Sequence, residues 1–380
     1  MSNYDYVIIG AGAAGLLLAD ALINDSFFTS RSILIIDKDD KKKNDRTWCF
    51  WEKEQGKFDA ILHKSWPSIF FAGKDLRLSS TIAPYSYKML RGIDFYQHYT
   101  NKIKSYRNIT WLQDDVTKIQ EKETSVVVST QTEQFSGQIV FNSIFDYGPL
   151  KNQKQYPVLQ QHFLGWFVKT EKAVFNKDEA TFMDFSIPQK GNTRFMYVLP
   201  FSDTEALVEY TLFSETLLKK EEYEQAIVDY LQNDLGIANY EILEKEVGNI
   251  PMTSYKFHKH NSNRVMNIGI AGGWAKASTG FTFYSTHKQV NTLVGFLKKE
   301  KPLSLFYKRN KFWFYDVLLL DILSKKNHLG QSIFESLFKN RKPQLILKFL
   351  DEDTSFWEDL QIISACPKWP FLKALWNRIF

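Results

Sequence analysis

The sequence predicts an α/β fold: a Rossmann-like unit opening the chain, an antiparallel β-sheet inserted behind it, and a helical C-terminal region. Three observations carry this reading. Residues 1–37 run strand, glycine-rich turn, helix, strand. Residues 156–215 alternate apolar and polar side chains with a period near two, as a sheet does. From Pro302 onward the pattern is helical and aromatic.

The opening unit is explicit. Tyr6-Val7-Ile8-Ile9 is a β-branched run that reads as a buried strand, and it enters Gly10-Ala11-Gly12-Ala13-Ala14-Gly15, a full G-x-G-x-x-G. Leu16–Leu22 then reads as a helix, and Ile33–Ile36 as a second strand ending on Asp37. Gly10 permits the tight turn, Gly12 lets backbone approach a pyrophosphate, and Gly15 lets the helix pack on the sheet. The helix start at Ala13 and Ala14 offers free N–H groups and a partial positive charge to phosphates. Asp37 can accept from a ribose hydroxyl, and Lys38 beside it joins the expected cofactor contacts. The fingerprint at the chain start favours FAD over NAD, because a cofactor that stays bound often has its domain first, interrupted later by substrate-binding segments.

With 380 residues the chain suits two interleaved or sequential domains. The expected division is a FAD-binding domain at 1–70, 85–150 and 260–300, a substrate-binding sheet at 71–84 and 151–259, and the aromatic, basic helical region at 301–380. The aromatic fraction of 16% implies an unusually aromatic core or a large apolar site. Two cysteines, Cys49 and Cys366, suggest neither a disulfide framework nor a metal centre, and the seven histidines show no metal spacing. A reducing, cytoplasmic setting is expected. No cationic, apolar leader precedes the first strand, so no signal peptide is expected. No run of about 18 apolar residues appears, so no transmembrane helix is expected. The net charge of +5 resides in residues 301–380, where 13 Lys and Arg face 8 Asp and Glu. Basic residues among aromatics suit an anionic membrane surface or a nucleic acid. No nucleic-acid motif is present, so peripheral membrane contact is favoured, above all at Pro367–Phe380; a terminal helix capping the core is the alternative.

Between these landmarks, Lys38–Asn44 is a charged loop leading into Asp45-Arg46-Thr47-Trp48-Cys49-Phe50-Trp51. So many aromatics imply burial, with Arg46 facing a cofactor phosphate, the flavin, or a structural ion-pair partner. Ser68–Ala72 and Asp75–Leu78 read as a hairpin around Gly73, and Tyr87–Tyr99 as the opening of a helix. Ile109–Leu112, Thr124–Thr130 and Gln138–Phe145 read as strands; Val116 could offer backbone to an adenine or simply pack. His162–Val168, Ala180–Phe185, Arg194–Leu199 and Ala206–Leu212 are the strands of the inserted sheet. Leu217–Leu235 reads as a helix closed by Gly236, Ile250-Pro251-Met252 as the prelude to a strand, Val265–Ala271 as a strand, and 281–299 as a helix. Gly272-Gly273 and Ser278-Thr279-Gly280 flank the last strand and helix, a second place where backbone can approach phosphate or flavin ribityl.

Five blocks then occur in order: Asp45–Trp51, Lys88–Tyr96, Val208–Ser214, Ile250–Met252 and Ser278–Phe281. Together they resemble the bacterial lycopene β-cyclase family of carotenoid synthesis, from the first strand to about residue 300 and more loosely beyond. The Asp-Arg-Thr-Trp-Cys-Phe-Trp block is the most specific. The resemblance implies a flavoprotein fold of the glutathione-reductase or aromatic-hydroxylase kind. It implies conversion of lycopene, or related linear carotenoids, to β-ionone rings, giving β-carotene by way of γ-carotene. It also implies that reduced FAD is required without net redox change, NAD(P)H serving only to keep the flavin reduced.

Such a ring closure needs a proton donor in an apolar pocket, π-density or negative charge near a carbocation, and no water. An apolar pocket raises a carboxyl pKa and keeps it protonated. Glu209, in Ala206–Phe213, matches the family's catalytic Glu. Alternation puts Leu207, Glu209 and Thr211 on one face and Val208, Tyr210 and Leu212 on the other, so an outward-facing Glu is the competing reading; Glu205 is the fallback acid. Arg46 and Arg91 would touch flavin or its phosphates, or form structural ion pairs. The alternative activity on the same fold is a FAD-dependent monooxygenase or a polyprenyl or carotenoid reductase. Against it, Gly272-Gly273 stands where such flavoproteins carry Gly-Asp. A flavin-containing binder of apolar ligands is the non-enzymatic alternative.

Overall fold

The computed structural model describes residues 1–307 and 310–379. Lys308 and Arg309, two of the basic residues counted above, and Phe380, the end of the aromatic tail, lie outside the described residues. The first part of the chain runs β1 (Ser2–Ile9), α1 (Ala13–Ile23), β2 (Ile33–Asp37), β3 (Thr47–Lys53), β4 (Lys64–Trp66), β5 (Ser68–Ala72), β6 (Arg77–Thr81), β7 (Tyr85–Arg91), α2 (Gly92–Lys104), β8 (Ile109–Gln113), β9 (Val116–Glu121), β10 (Val126–Thr130) and β11 (Gln134–Asn142). It continues through α3 (Gly148–Lys151), β12 (Leu159–Thr170), β13 (Glu179–Asp184), β14 (Thr193–Pro200), β15 (Glu205–Ser214), α4 (Lys220–Asp229), β16 (Tyr240–Met252), β17 (Val265–Asn267) and α5 (Phe283–Leu297). Five helices close it: α6 (Lys311–Lys325), α7 (Gly330–Asn340), α8 (Pro343–Leu350), α9 (Phe356–Ala365) and α10 (Lys368–Ile379).

Three sheets result. The first has the order β8-β2-β1-β11-β10-β9, with β17 beside β11. Its β8, β2, β1, β11 and β17 are parallel neighbours, and β10 and β9 add an antiparallel meander. Val7, Ile9, Leu34 and Ile36 face that meander, while Ile8, Ile33 and Ile35 face α1, α2 and α5. Burial on both faces explains why β1 and β2 read as unbroken apolar runs. The second sheet has the order β16-β12-β15-β14-β13-β5-β6, antiparallel except for the parallel β13–β5 pair. One face packs under α4 through Trp166, Val208, Tyr210 and Leu212. The other, with Phe167, Phe182, Phe195, Leu207 and Phe213, meets β3, β7 and the C-terminal helices. The third sheet, β3-β7-β4, is the partition between the two halves.

Three expectations change. Tyr87–Tyr99 does not open as a helix: Tyr85–Arg91 is strand and the helix begins at Gly92. Here Tyr85, Tyr87 and Met89 serve one core, while the other face mixes Ser86, a buried Lys88 paired with Glu52 and Asp59, and Leu90 of the other core, which blurs the period of two. Ile250–Met252 ends a strand rather than preceding one, and Val265–Ala271 is strand only to Asn267. Gly269, with φ of +61°, turns the chain into the 3₁₀ segment Gly269–Gly272. Val116 begins an unforeseen edge strand and pairs with Thr130.

Candidate active site

The inner face of the second sheet supplies the chemistry. Leu207, Glu209, Thr211 and Phe213 alternate onto it from β15, and Gln161, Phe163 and Gly165 from β12. Across the gap stand Trp48 and Cys49 of β3 and the loop Thr279–Phe283. They enclose a cavity of about 100 Å³ whose walls include Trp48, Phe163, Phe182, Phe195, Tyr197 and Phe281. A neighbouring cavity of about 190 Å³ shares Cys49, Phe281, Thr282 and Phe283. A far larger groove, about 800 Å³, lies along α5 beside Gly272 and Gly273, but no buried carboxyl of the second sheet lines it. The carboxyls that do line the groove, Asp316 and Glu352, are paired with Lys276.

Glu209 is 7% exposed and points into this chamber, so the outward-facing reading fails for an observable reason: both faces of β15 are covered. Burial, and then the nearby charge of Glu246, hold its pKa well above the usual carboxyl range. Thr211 Oγ1 donates to its Oε1 at 2.5 Å. Glu205, the fallback acid, pairs instead with Lys169 at 2.8 Å near the rim of the sheet. Glu246 is a member of the site that sequence reasoning missed. Its signal was present: counting back by twos from Ile250 puts Gly248, Glu246 and Glu244 on one strand face. Burial raises the Glu246 pKa as well. Cys49 is pushed up to about 12 by burial, so it is a neutral thiol at the chamber wall.

The first glycine loop suits a dinucleotide. A Cβ at Gly15 would lie 1.9 Å from Gly10 O, so helix and turn touch, whereas a Cβ at Gly12 would meet nothing within 4 Å. The start of α1 has no side-chain cap and no acid in its first turn, which leaves the N–H groups of Ala13 and Ala14 without a side-chain acceptor. Asp37 accepts from the Ala11 and Asp39 N–H groups at 2.5 and 2.8 Å and faces Lys41 at 3.3 Å, tying the loop to the end of β2. Lys38 is exposed beside it.

The second cluster is different. The space a Cβ would take at Gly272 is filled by Asn267 O, at Gly273 by Phe257 and at Gly280 by Gln161, so the protein itself demands these glycines. The pointer to a ligand is instead Thr279, whose buried hydroxyl has no partner; Gln161 Oε1 on the same chamber wall is also buried without a donor. Two orphaned oxygens in an aromatic chamber suit a flat ligand with a polar edge, which an isoalloxazine is. Arg46 is exposed and donates to Asp45 O at 2.6 Å. Arg91 pairs with Glu244 and lies over the Phe167 ring. Among the expected cofactor residues, then, the glycine loop and Thr279 face open or unsatisfied space, while Arg91 is engaged through one Nη and keeps a buried Nε without a partner.

Lys276 fixes the second loop. Its buried Nζ donates to both Asp316 carboxylate oxygens at 2.8 and 2.9 Å and to Glu352 at 3.2 Å. Lys276→Met should destabilise the protein by about 3–5 kcal/mol, because Asp316 stays buried without its partner. Lys276→Met with Asp316→Leu should recover much of that loss in urea titrations.

The protein-family model described as Lycopene cyclase protein matches residues 5–376. Neoxanthin synthases of Solanum lycopersicum and Solanum tuberosum are each 25% identical over about 300 residues, 74% of this chain. The chain spans 57% of the length of these curated relatives. Among solved structures, a geranylgeranyl bacteriochlorophyll reductase-like protein of Thermoplasma acidophilum superposes with a TM-score of 0.60 at 12% identity over 99% of both chains. A flavoprotein/dehydrogenase of Cytophaga hutchinsonii gives 0.61 at 14% over 92% of both, and a flavin-dependent brominase 0.59 at 13% over the whole of both. At these identities the likeness is one of fold: a Rossmann-type sheet joined to a second, antiparallel one.

Proposed function

The chain belongs to the lycopene cyclase family, and from that premise we propose that it closes the linear ends of lycopene, or a related linear carotenoid, into β-ionone rings, with Glu209 as proton donor. The observation that supports this most is the chamber itself: a buried carboxyl whose pKa burial raises, among aromatic faces. Glu209 gives its proton to the terminal alkene, and a tertiary carbocation forms. The neighbouring alkene attacks it, and a ring proton then leaves. Faces such as Trp48, Phe163 and Tyr197 attract the cation, each worth roughly 0.5–2 kcal/mol. The same side chains exclude the water that would quench it to an alcohol. The chamber's size suits one end of a long molecule, not its whole length.

FAD is the cofactor this reading calls for, held by Gly10, Gly12, Ala13, Ala14, Gly15 and Asp37 at its phosphates and ribose and by Thr279 at the chamber. When bound and reduced, it supplies delocalised negative charge where the cation develops. NAD(P)H would keep it reduced without being consumed ring by ring.

Expression in cells that accumulate lycopene should convert the pigment to cyclic carotenoids. Consumption of one NAD(P)H equivalent per product would instead point to a monooxygenase or a reductase. In a single turnover after equilibration in heavy water the purified protein should place one deuterium in each ring formed; unlabelled product there would contradict protonation by an exchangeable acid.

The substrate dissolves in lipid, and α9 and α10 present the surface to reach it. Trp357, Trp369 and Trp376 are 72, 83 and 64% exposed, with Phe356, Leu372 and Ile379 beside them in the chain and Lys368 and Lys373 interspersed. Among the described residues no helix is long and apolar enough to cross a membrane. Peripheral contact through these exposed aromatics, with the lysines of α10 beside them, is the reading that follows. The double variant Trp357→Ser, Trp369→Ser should sediment with anionic vesicles at least several-fold less than the parent; equal sedimentation would move the contact elsewhere.

A further inference from the structure

We propose that Glu246 is the second half of the acid–base apparatus: its carboxylate takes the proton that leaves the ring and returns it to Glu209. This rests on the ring-closure reading above and assigns the proton acceptor that reading leaves open.

The placement follows from strand register. β12 lies between β15 and β16, and its Gly165 is paired with Glu209 on one side and with Glu246 on the other. Glycine there leaves the slot between the two side chains empty. A Cβ at 165 would come within 3.2 Å of Glu246 Cγ and 3.3 Å of Glu209 Cβ. Both carboxyls therefore reach the same chamber and lie within hydrogen-bonding reach of each other.

The acceptor count points the same way. Thr47 Oγ1 donates to Glu246 Oε2 at 2.6 Å. Although Glu246 sits on the edge strand and is half-buried as a residue, its Oε1 is sealed from solvent and has no donor. Two carboxylates cannot satisfy one another; a carboxylic acid and a carboxylate can. Glu209's own proton is the missing donor, so the resting pair holds one proton. Burial and mutual repulsion favour this state over two bare charges.

The step balances. The Glu209 O–H bond breaks as a C–H bond forms at the terminal alkene. After ring closure a ring C–H bond breaks, its electron pair becomes the ring double bond, and a Glu246 O–H bond forms. Passage of that proton from Glu246 to Glu209 restores the pair, and nothing is oxidised or reduced. The other titratable and charged groups facing the pair are Cys49 of β3, Tyr87 and Arg91 of β7, Tyr197 of β14 and Glu244 of β16. Burial keeps the thiol and both phenols neutral, and Arg91 is paired with Glu244.

The test is Glu246→Gln in the full-length, flavin-loaded protein with lycopene as substrate. A working pair makes kcat bell-shaped in pH, the acid limb reporting loss of the carboxylate and the alkaline limb loss of the acid. Glu246→Gln should lower kcat by about 100-fold, abolish the acid limb, and yield a mixture of ring double-bond isomers, because the ring proton then leaves to whatever base is near. Parent-like rate, pH profile and single isomer would overturn the proposal. If Glu246→Gln fails to retain flavin, Thr47→Val carries the test. It keeps the carboxyl but removes the hydrogen bond that lowers its pKa, so the acid limb should move to higher pH; an unmoved limb overturns the proposal. Glu209→Gln in parallel separates the failures. A fully active Glu209→Gln removes Glu209 as the proton donor of the ring-closure reading, whereas an inactive one beside a parent-like Glu246→Gln defeats only the pair.

Discussion

Glu209→Gln should fold, retain flavin and lose ring formation by roughly 10²–10⁴-fold, the range spanned by a single general acid. The amide is nearly isosteric with the acid and can still accept from Thr211, so the packing around it is conserved. What it cannot do is deliver a proton strong enough to protonate an alkene. Stability should move the opposite way. The Glu209 pKa is raised in the folded protein, so its favourable contribution is fully present below the ordinary carboxyl range, near 4.3. That contribution is lost as pH rises through the folded-state value. Relative to the parent, Glu209→Gln should therefore gain melting temperature as pH increases, by several degrees at pH 8, with little difference at pH 4. Pigment analysis and thermal melts at two pH values check both halves. An active Gln variant, or one uniformly less stable at pH 8, would remove Glu209 from the role of buried proton donor.

The legibility of this chain in its sequence differed from one half to the other. β1, α1 and β2 were readable because their constraint is local: Gly10, Gly12 and Gly15 each answer a need met within a few residues. The four strands of the inserted sheet were readable too, but which face of β15 looked inward was not, since Leu207 and Val208 are equally apolar. Only the covering elements, α4 on one side and β3 on the other, settle the direction of Glu209. β7 is hard to read for a related reason: its second face mixes Ser86 and the ion-paired, buried Lys88 with Leu90, which blurs the alternation. Alternation back from Ile250 puts Glu246 on a strand face, but its significance lies in a pairing across β12, between residues 37 apart in the chain but separated in space by a single glycine. Sheet register between distant strands leaves no local trace beyond the absence of a side chain at Gly165.

That absence makes the second large prediction. Gly165→Val should cut ring formation by at least about 100-fold, comparable to loss of an acid–base group, although valine is the better strand former and no catalytic atom is removed. The new Cβ would stand 2.8 Å from Leu207 Cδ1 and between the two carboxyl side chains, so Leu207, Glu209 and Glu246 must all give way. Leu207 can rotate, which keeps the cost of overpacking near 1–3 kcal/mol and the protein folded. The carboxyls can yield only by parting, and an acid parted from its carboxylate loses both the partner that returns a proton to it and the repulsion that keeps it un-ionised. The alkaline limb of the pH profile should accordingly move to lower pH, a shift that crowding of the substrate alone would not produce. A Gly165→Val protein with bound flavin, slowed only through KM and with an unmoved alkaline limb, would mean that the slot admits substrate and does not couple the two acids.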